Sequence, residues 1–418
     1  MYFLNIMPHK NWSDCVDCRL LISSIINSIM KIPKEKIIIV MTVFIDVLGL
    51  AIIIPVLPFY VESFGASALT LTMLFSVFSF FSFVSAPFLG TLSDKVGRRP
   101  ILITSIISTA IGWFVFASAH TVWVLFLGRV IDGMAAGNLP IAQSYLVDIA
   151  GDEKERTTNL GIIGSVFGIA FIAGPAVGAA LSSISHALPF YFVGAMATVN
   201  VIGALFFLPE SHKHMDRGRK IIFNPVRPLL SAAYDRSLRS RYVAWFCFGT
   251  AFSGMQAIFA LYMSKVYGFN SVMVGTIYTG MGIAIFLNQT FLLRGFWLRR
   301  FKESTLEVWT FLCNAIGFSL LVIPSISFFI AGILLNVFSQ SLLRVVLMSR
   351  TAGLAGNRRR GEVLGVMSSV LSVATICGPL LAGLLFPVKT FLPFVLSAFV
   401  LVCGFLLMRL DANGIAQN

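Results

Sequence analysis

Charge is scarce in this chain. Acidic and basic side chains together make up 12% of its 418 residues, and only 18 of them are acidic. An average soluble domain carries about twice that share, so there is too little polar surface here to clothe a water-soluble fold. Cysteine is no richer, at six residues. Cys247, Cys313, Cys377 and Cys403 stand singly in apolar stretches, where each acts as a small hydrophobe, so no disulfide framework is implied. Cys15 and Cys18, beside Asp14 and Asp17, have a spacing that could grip a metal, but one pair without a second is not a zinc site, and no metal is expected. Also missing are a Gly-x-x-x-x-Gly-Lys-Ser/Thr loop, a His-Glu-x-x-His pair and a Gly-x-Ser-x-Gly elbow. Their absence argues against ATP hydrolysis, zinc peptidase chemistry and serine hydrolysis. No polar stretch is long enough for a separate catalytic domain, so neither an enzyme nor a cofactor is expected.

Apolar residues are what the chain has in excess: 57% of the total, with a mean hydropathy of +0.88. They gather in stretches of about 20 residues or more, each long enough as a helix to cross a hydrocarbon core of about 30 Å. The stretches do not alternate as the strands of a membrane barrel would. Helices are predicted over 37–60, 68–90, 100–119, 122–149, 158–183, 187–208, 241–264, 271–293, 305–323, 325–349, 362–386 and 390–409. The fold class is therefore an all-α membrane protein with twelve transmembrane helices.

The formal net charge of +13 could suggest nucleic acid. The basic residues, however, sit in short loops between the spans and form no single soluble face, so no nucleic acid is expected. If the amino terminus is cytoplasmic, 27 of the 31 Lys and Arg lie on the cytoplasmic side, Lys265 and Lys389 lie outside, and Arg129 and Arg344 fall within spans. That asymmetry predicts both termini in the cytoplasm. Residues 1–36 read as a cytoplasmic extension. Met30, followed by Lys31, Lys34 and Lys36, looks like a more usual start, which leaves 1–30 as an extension or a misassigned beginning.

The largest polar interruption, 209–240, divides the spans into six and six, 37–208 and 241–409, with a short cytoplasmic tail over 410–418. The halves repeat. Leu160-Gly161, Ser165-Val166, Ala170, Ile172, Gly174-Pro175 and Leu181 match Leu364-Gly365, Ser369-Val370, Ala374, Ile376, Gly378-Pro379 and Leu385 at one offset of 204 (378 − 174). Two parallel, pseudo-symmetric six-helix bundles follow.

Several local motifs sharpen this. After the second span stands Gly90-Thr91-Leu92-Ser93-Asp94-Lys95-Val96-Gly97-Arg98-Arg99-Pro100. Gly90 is expected to let helices approach, Gly97 to turn the chain and Pro100 to open the next helix, with the charges forming a latch. The fourth span holds Gly128-Arg129-Val130-Ile131-Asp132-Gly133-Met134-Ala135-Ala136-Gly137-Asn138. A mid-membrane arginine costs roughly 2.5–3.5 kcal/mol on insertion scales and should face a partner or a cavity. Asp132 follows on nearly the same face, as a structural ion pair or as part of proton coupling. Gly133 and Gly137 read as close-packing positions. In the first span, Phe44-Ile45-Asp46-Val47-Leu48-Gly49 carries nearly the only acid there, a proton or substrate site or else an acid held by Arg129. The fifth span holds Gly161, Ala170, Gly174, Pro175 and Gly178, a kinkable surface suited to a neighbour in the opposite half.

These motifs resemble those of the major facilitator superfamily, most closely its twelve-helix drug/proton antiporters of the tetracycline-resistance type. The resemblance spans most of 37–409. It implies that Asp94 faces the start of the eleventh helix near Gly361, that Gly90, Asp94, Gly97, Arg98 and Arg99 form a cytoplasmic gate, and that Gly161, Gly174, Pro175 and Gly178 form the antiporter motif. The second-half counterpart, Gly295 to Phe301, has no acid, which predicts an asymmetric latch. Tetracycline pumps carry an aspartate in the third span where this chain has Gly112-Trp113, which puts tetracycline itself in doubt.

The expected function is proton-coupled export of a drug-like or small organic solute, by rocking of the two halves around a central cavity. Asp46, Arg129 and Asp132 would couple protons. Asp46, Arg344, Phe75, Phe78, Phe252 and Phe286 would line the substrate cavity. Two alternatives stand beside it: a proton-coupled importer of a nutrient or metabolite anion bound by Arg129 and Arg344, and a non-transporting receptor or assembly protein. The lipid bilayer, a small-molecule substrate and protons are the expected partners of a monomer in the bacterial inner membrane.

Overall fold

A computed structural model describes residues 33–211, 225–235 and 237–415. Cys15, Cys18 and the rest of residues 1–32, most of the basic linker and the last residues of the tail lie outside the described residues.

The first half comprises α1 (Lys34–Glu62), α2 (Ala68–Val96), α3 (Arg98–Ala117), α4 (Val122–Met134), α5 (Asn138–Asp148), α6 (Glu153–Ser182) and α7 (Leu188–Phe207). A short linker helix, α8 (Arg227–Tyr234), precedes the second half. There follow α9 (Arg239–Tyr267), α10 (Ser271–Leu287) with a π-helical continuation over Asn288–Trp297, α11 (Leu298–Arg300), α12 (Glu303–Leu320), α13 (Ile326–Leu354), α14 (Gly356–Leu385) and α15 (Leu392–Ile415). Eleven of the crossing segments are long and apolar enough to span a membrane on their own account. The twelfth, α12, is shorter and carries Glu303, Glu307 and Asn314.

The predicted fourth span is broken. α4 ends at Met134, Ala135 to Gly137 form a turn, and α5 resumes at Asn138. Pro140 explains the break: lacking an N–H, it cannot continue a helix arriving from Ala136, but it fits in the first turn of a new one. The eighth span also runs further than predicted, through the π-helical turns to Arg300.

Each half repeats one packing scheme. α1 lies on α6 and α3 on α4 and α7, as α9 lies on α14 and α12 on α13 and α15. The repeat extends to close approaches: a Cβ at Gly112 would stand 3.0 Å from Asp132, and one at Gly317 would stand 2.6 Å from the side chain of Asn336. Asn336 is thus the second-half counterpart of Asp132 (336 − 132 = 204). Across the divide, α2 meets α14 and α6 meets α10.

These two seams close at one end only. Where α2 begins, the Ser76 hydroxyl donates to the carbonyl of Ile376 (2.9 Å), and Gly383 lies against Thr72. On the other seam, Gly275 and Gly282 press on Pro175, Ala179 and Phe171. Glu62 and Lys265 form an ion pair across the halves at this same end. Further along the same helix stripes, toward the end where α1 begins and α15 finishes, Gly161, Gly164, Gly361, Gly365 and Gly90 have nothing within 4 Å of a built Cβ. The halves therefore part toward the termini-bearing end, like a wedge.

Two expectations need correcting here. Gly90 does not bring helices together in this conformation, because the halves have separated in front of it. Gly174 and Gly178 do not face the opposite half: they pack against Ala51, Ile52 and Val56 of α1, and Phe171, Pro175 and Ala179 make the contact across the divide. Gly97 turns the chain as expected, with φ of +113°, a backbone region that L side chains rarely adopt.

Candidate functional site

The candidate site grows from the seam between α3 and α4. Gly112 and Gly128 have no side chains, and a Cβ at either would lie about 3 Å from the facing helix, so the two backbones nearly touch. That contact presses Arg129 and Asp132 of α4 onto the α3 face that carries Thr109, Trp113 and Phe116. Arg129 is 4% exposed and Asp132 7%. Both are shielded from lipid, as the cost of a charge in hydrocarbon demands.

Arg129 is held from several sides. Its Nη1 lies 3.3 Å from the Asp132 carboxylate. Its guanidinium stands 4.4 Å from the Trp113 ring centroid, 4.5 Å from Phe116 and 5.6 Å from Phe78. Aromatic faces attract a cation, strongly so where water is excluded. Nε and Nη2 of Arg129 are buried with no hydrogen-bond partner.

Asp46, half-buried on α1, is not paired with Arg129, so the alternative of an acid held by Arg129 is not the arrangement found. Instead the Asn138 amide donates to its Oδ1 at 3.1 Å. The break between α4 and α5 places Asn138 there, as the first residue of the new helix. The same amide nitrogen donates to the Thr109 hydroxyl at 3.2 Å, and Thr109 in turn adjoins Asp132. One polar chain thus joins Asp46 on α1, Asn138 on α5, Thr109 on α3, and Asp132 and Arg129 on α4. The sequence reading gave no role to Thr109 or to Asn138, although Asn138 closes the fourth-span motif. The helix-breaking Pro140 two residues after an Asn was the available signal.

The other predicted residues scatter. Phe78 belongs to the Arg129 cluster, and Phe75 packs against the hydrophobic core. Phe252 stacks on Phe248 within α9, and Phe286, 44% exposed, faces Gly168 across the divide. Arg344 is exposed on α13, away from the polar chain. A recess of about 740 Å³ lies elsewhere, at the closed end of the first half among Tyr60, Phe64, His120 and Tyr191, and none of the predicted site residues lines it.

The Gly90 to Pro100 motif forms a second charged cluster, at the termini-bearing end. Arg98 pairs with Asp94 at 2.5 Å and with Asp148 of α5 at 3.2 Å. Glu210 accepts from the backbone N–H groups of Arg98 (2.9 Å) and Arg99 (3.1 Å), which puts a carboxylate on the amino terminus of α3, where the helix dipole favours it. In the second half the matching place is taken by a network that sequence inspection missed. Glu307 of α12, 1% exposed, binds Arg241 of α9 at 2.7 Å and also pairs with Arg350 of α13. Arg241 reaches Asp411 of α15 at 2.9 Å. An acid there stands on the helix equivalent to α3, where the first half has Arg98 and Arg99.

Comparison with known proteins agrees with this architecture. Residues 39–311 match the family model of the Major Facilitator Superfamily. The quinolone resistance protein NorA of Staphylococcus aureus is 27% identical over 380 residues, covering 90% of this chain and 96% of that protein. The class C tetracycline resistance protein of Escherichia coli is 26% identical over 356 residues, covering 84% and 89%. Among solved structures, the human organic anion transporter MFSD10 superposes with a TM-score of 0.66 at 21% identity, covering 90% of this chain and 99% of that one. The nucleoside transporter NupG does so with 0.74 at 15% identity, covering 90% and 98%. Twelve crossing segments in two repeated halves, the loop motif around Arg98 and the family match together establish the chain as a multi-pass membrane transporter, not an enzyme, that belongs to the major facilitator superfamily.

Proposed function

We propose that this transporter exports a small organic solute in exchange for protons, from a bacterial cytoplasmic membrane with both termini in the cytoplasm. The observation that carries the reading is Asp46: a carboxylate deep in the first membrane helix that accepts a hydrogen bond from the Asn138 amide. The cation that could have neutralised it, Arg129, is engaged by Asp132. A half-buried carboxylate within a membrane helix, with no cation of its own, binds and releases a proton as water access changes. The parted ends give the termini side access, and rocking the halves would transfer that access to the other side. On this reading the wedge opens to the cytoplasm.

The driving force suffices. Each charge crossing 100 mV yields about 2.3 kcal/mol, enough to hold a neutral solute at a gradient of roughly 50-fold. The drug-resistance names of the two relatives favour export of drug-like molecules. Against tetracycline itself, Gly112 is closed by Asp132 and Trp113 is taken by Arg129. The rival reading, import of an anion, is weakened because the charge of Arg129 is already balanced by Asp132.

The test uses proteoliposomes with an imposed pH gradient and a panel of quinolones and cationic dyes. Wild type should show solute-dependent proton flux, and Asp46→Asn should abolish it while leaving solute binding within a few-fold. Unchanged coupled flux in Asp46→Asn would remove Asp46 from the mechanism, and the absence of flux with every compound would reject the export reading.

A further inference from the structure

The polar chain beyond Asp46 has a direction, and that direction depends on one amide. Both hydrogens of the Asn138 Nδ2 are used, one toward Asp46 at 3.1 Å and one toward Thr109 at 3.2 Å. Having accepted that hydrogen, the Thr109 hydroxyl keeps its own proton available for the neighbouring Asp132 carboxylate. The Asn138 side chain is 2% exposed, yet its Oδ1 is buried with no partner. A buried acceptor left unmade costs about 1–3 kcal/mol. The arrangement therefore suits an ionised Asp46, which accepts, and does not suit a protonated one, which must donate.

We propose that Asn138 is a positioning residue that senses the protonation state of Asp46 and relays it through Thr109 to the Asp132–Arg129 pair. The step balances simply. A proton from water adds to the Asp46 carboxylate, which becomes a neutral acid with one O–H to donate. The Asn138 amide rotates by half a turn, so that Oδ1 faces both former acceptors. It then accepts from Asp46 and from Thr109, whose hydroxyl turns away from Asp132. Asp132 loses a donor and closes on Arg129, which has two unpartnered nitrogen groups and sits against Trp113. Protonation on α1 is thereby felt on α4 without any charge moving between them.

No other charge stands in the way. Among the described residues, Asp132 is the charged group that acts on Asp46, and Arg129 is paired to Asp132. The membrane-crossing bodies of α2, α5, α6, α7, α9 and α10, packed on α1, carry no Asp, Glu, Lys, Arg or His. Their titratable groups are the thiol of Cys247 and the phenols of Tyr145, Tyr191, Tyr242, Tyr262, Tyr267 and Tyr278. The repeat points the same way: where the first half has Asp132, the second has the uncharged Asn336. The relay belongs to one half alone.

This inference rests on Asp46 being the proton site, and its test separates the two claims. In detergent-solubilised full-length protein, the infrared band of a carboxylic acid is followed against pH, with the Asp46 component defined as what Asp46→Asn removes. Trp113 emission is followed in parallel, defined as what Trp113→Phe removes. Wild type should show both changes with one midpoint. Thr109→Val and Asn138→Leu should keep the Asp46 band and lose the emission step, and Thr109→Ser should restore it. An emission step that survives at the same midpoint in Thr109→Val or Asn138→Leu overturns the relay, as does a wild-type band that titrates with no emission step. A wild type with no Asp46 band at any pH overturns the proton-site reading, and the relay with it. Two independent variants guard against one failing to fold, and a merely structural role for Asn138 would not uncouple the two signals.

Discussion

Glu307 gives the sharpest energetic test. It is 1% exposed, with Arg241, 2% exposed, at 2.7 Å and Arg350 on its other oxygen. The cluster is neutral as built, two arginines against Glu307 and Asp411. Removing one partner of a buried ion pair costs about 3–5 kcal/mol, because the remaining charge is left desolvated. Arg241 keeps Asp411 at 2.9 Å, so the lower end applies, and Glu307→Leu should destabilise the protein by about 3 kcal/mol. Arg241→Met should cost a similar amount. The double variant leaves Arg350 against Asp411, neutral again, and should cost about 3 kcal/mol, where simple addition gives about 6. The measurement is a double-mutant cycle by denaturant unfolding in micelles. Additivity within about 0.5 kcal/mol would refute the claim that these charges form one buried unit.

Gly275→Leu should hold the halves apart at the closed end, since even a Cβ there would meet the Cβ of Ala179 at 2.5 Å; loss of transport with new thiol accessibility at Ala179→Cys would confirm it, and unaltered transport would refute it. The Glu62–Lys265 pair is about half exposed, so either charge removal should cost less than about 1 kcal/mol, whereas Glu62→Lys should slow transport and Glu62→Lys with Lys265→Glu should recover it. Burial pushes the Asp235 carboxyl up, but hydrogen bonds from Ser237 and the Arg359 guanidinium outweigh it and hold the group below the usual carboxylate range. Such a depressed group stabilises fully above its unfolded value of about 3.9 and loses that contribution only as pH falls through the lower folded value. The hydrogen-exchange protection of α8, corrected for the intrinsic pH dependence of exchange, should therefore be flat from pH 7 to 5 and fall only in stronger acid. A release near pH 6 would contradict this.

What lay open in the sequence was whatever depends on solvent and on local backbone chemistry. Long apolar runs have to be satisfied by lipid, and their backbone groups have to be paired internally, so the crossing helices follow from composition alone. Gly97 had to turn, and a constant offset between Gly174 and Gly378 implied two like halves. Arg129 and Asp132, three residues apart on one helix, were adjacent by geometry. What only the tertiary structure decided is which distant groups share a charge. Asp46 and Asn138 lie 92 residues apart, and their meeting depends on where Pro140 breaks the fourth span and how closely Gly112 and Gly128 let two helices approach. Arg241, Glu307, Arg350 and Asp411 come from four helices and read individually as boundary charges. Hydrophobic patterning acts along one segment at a time, whereas ion pairing is settled by side-chain proximity after the helices have packed.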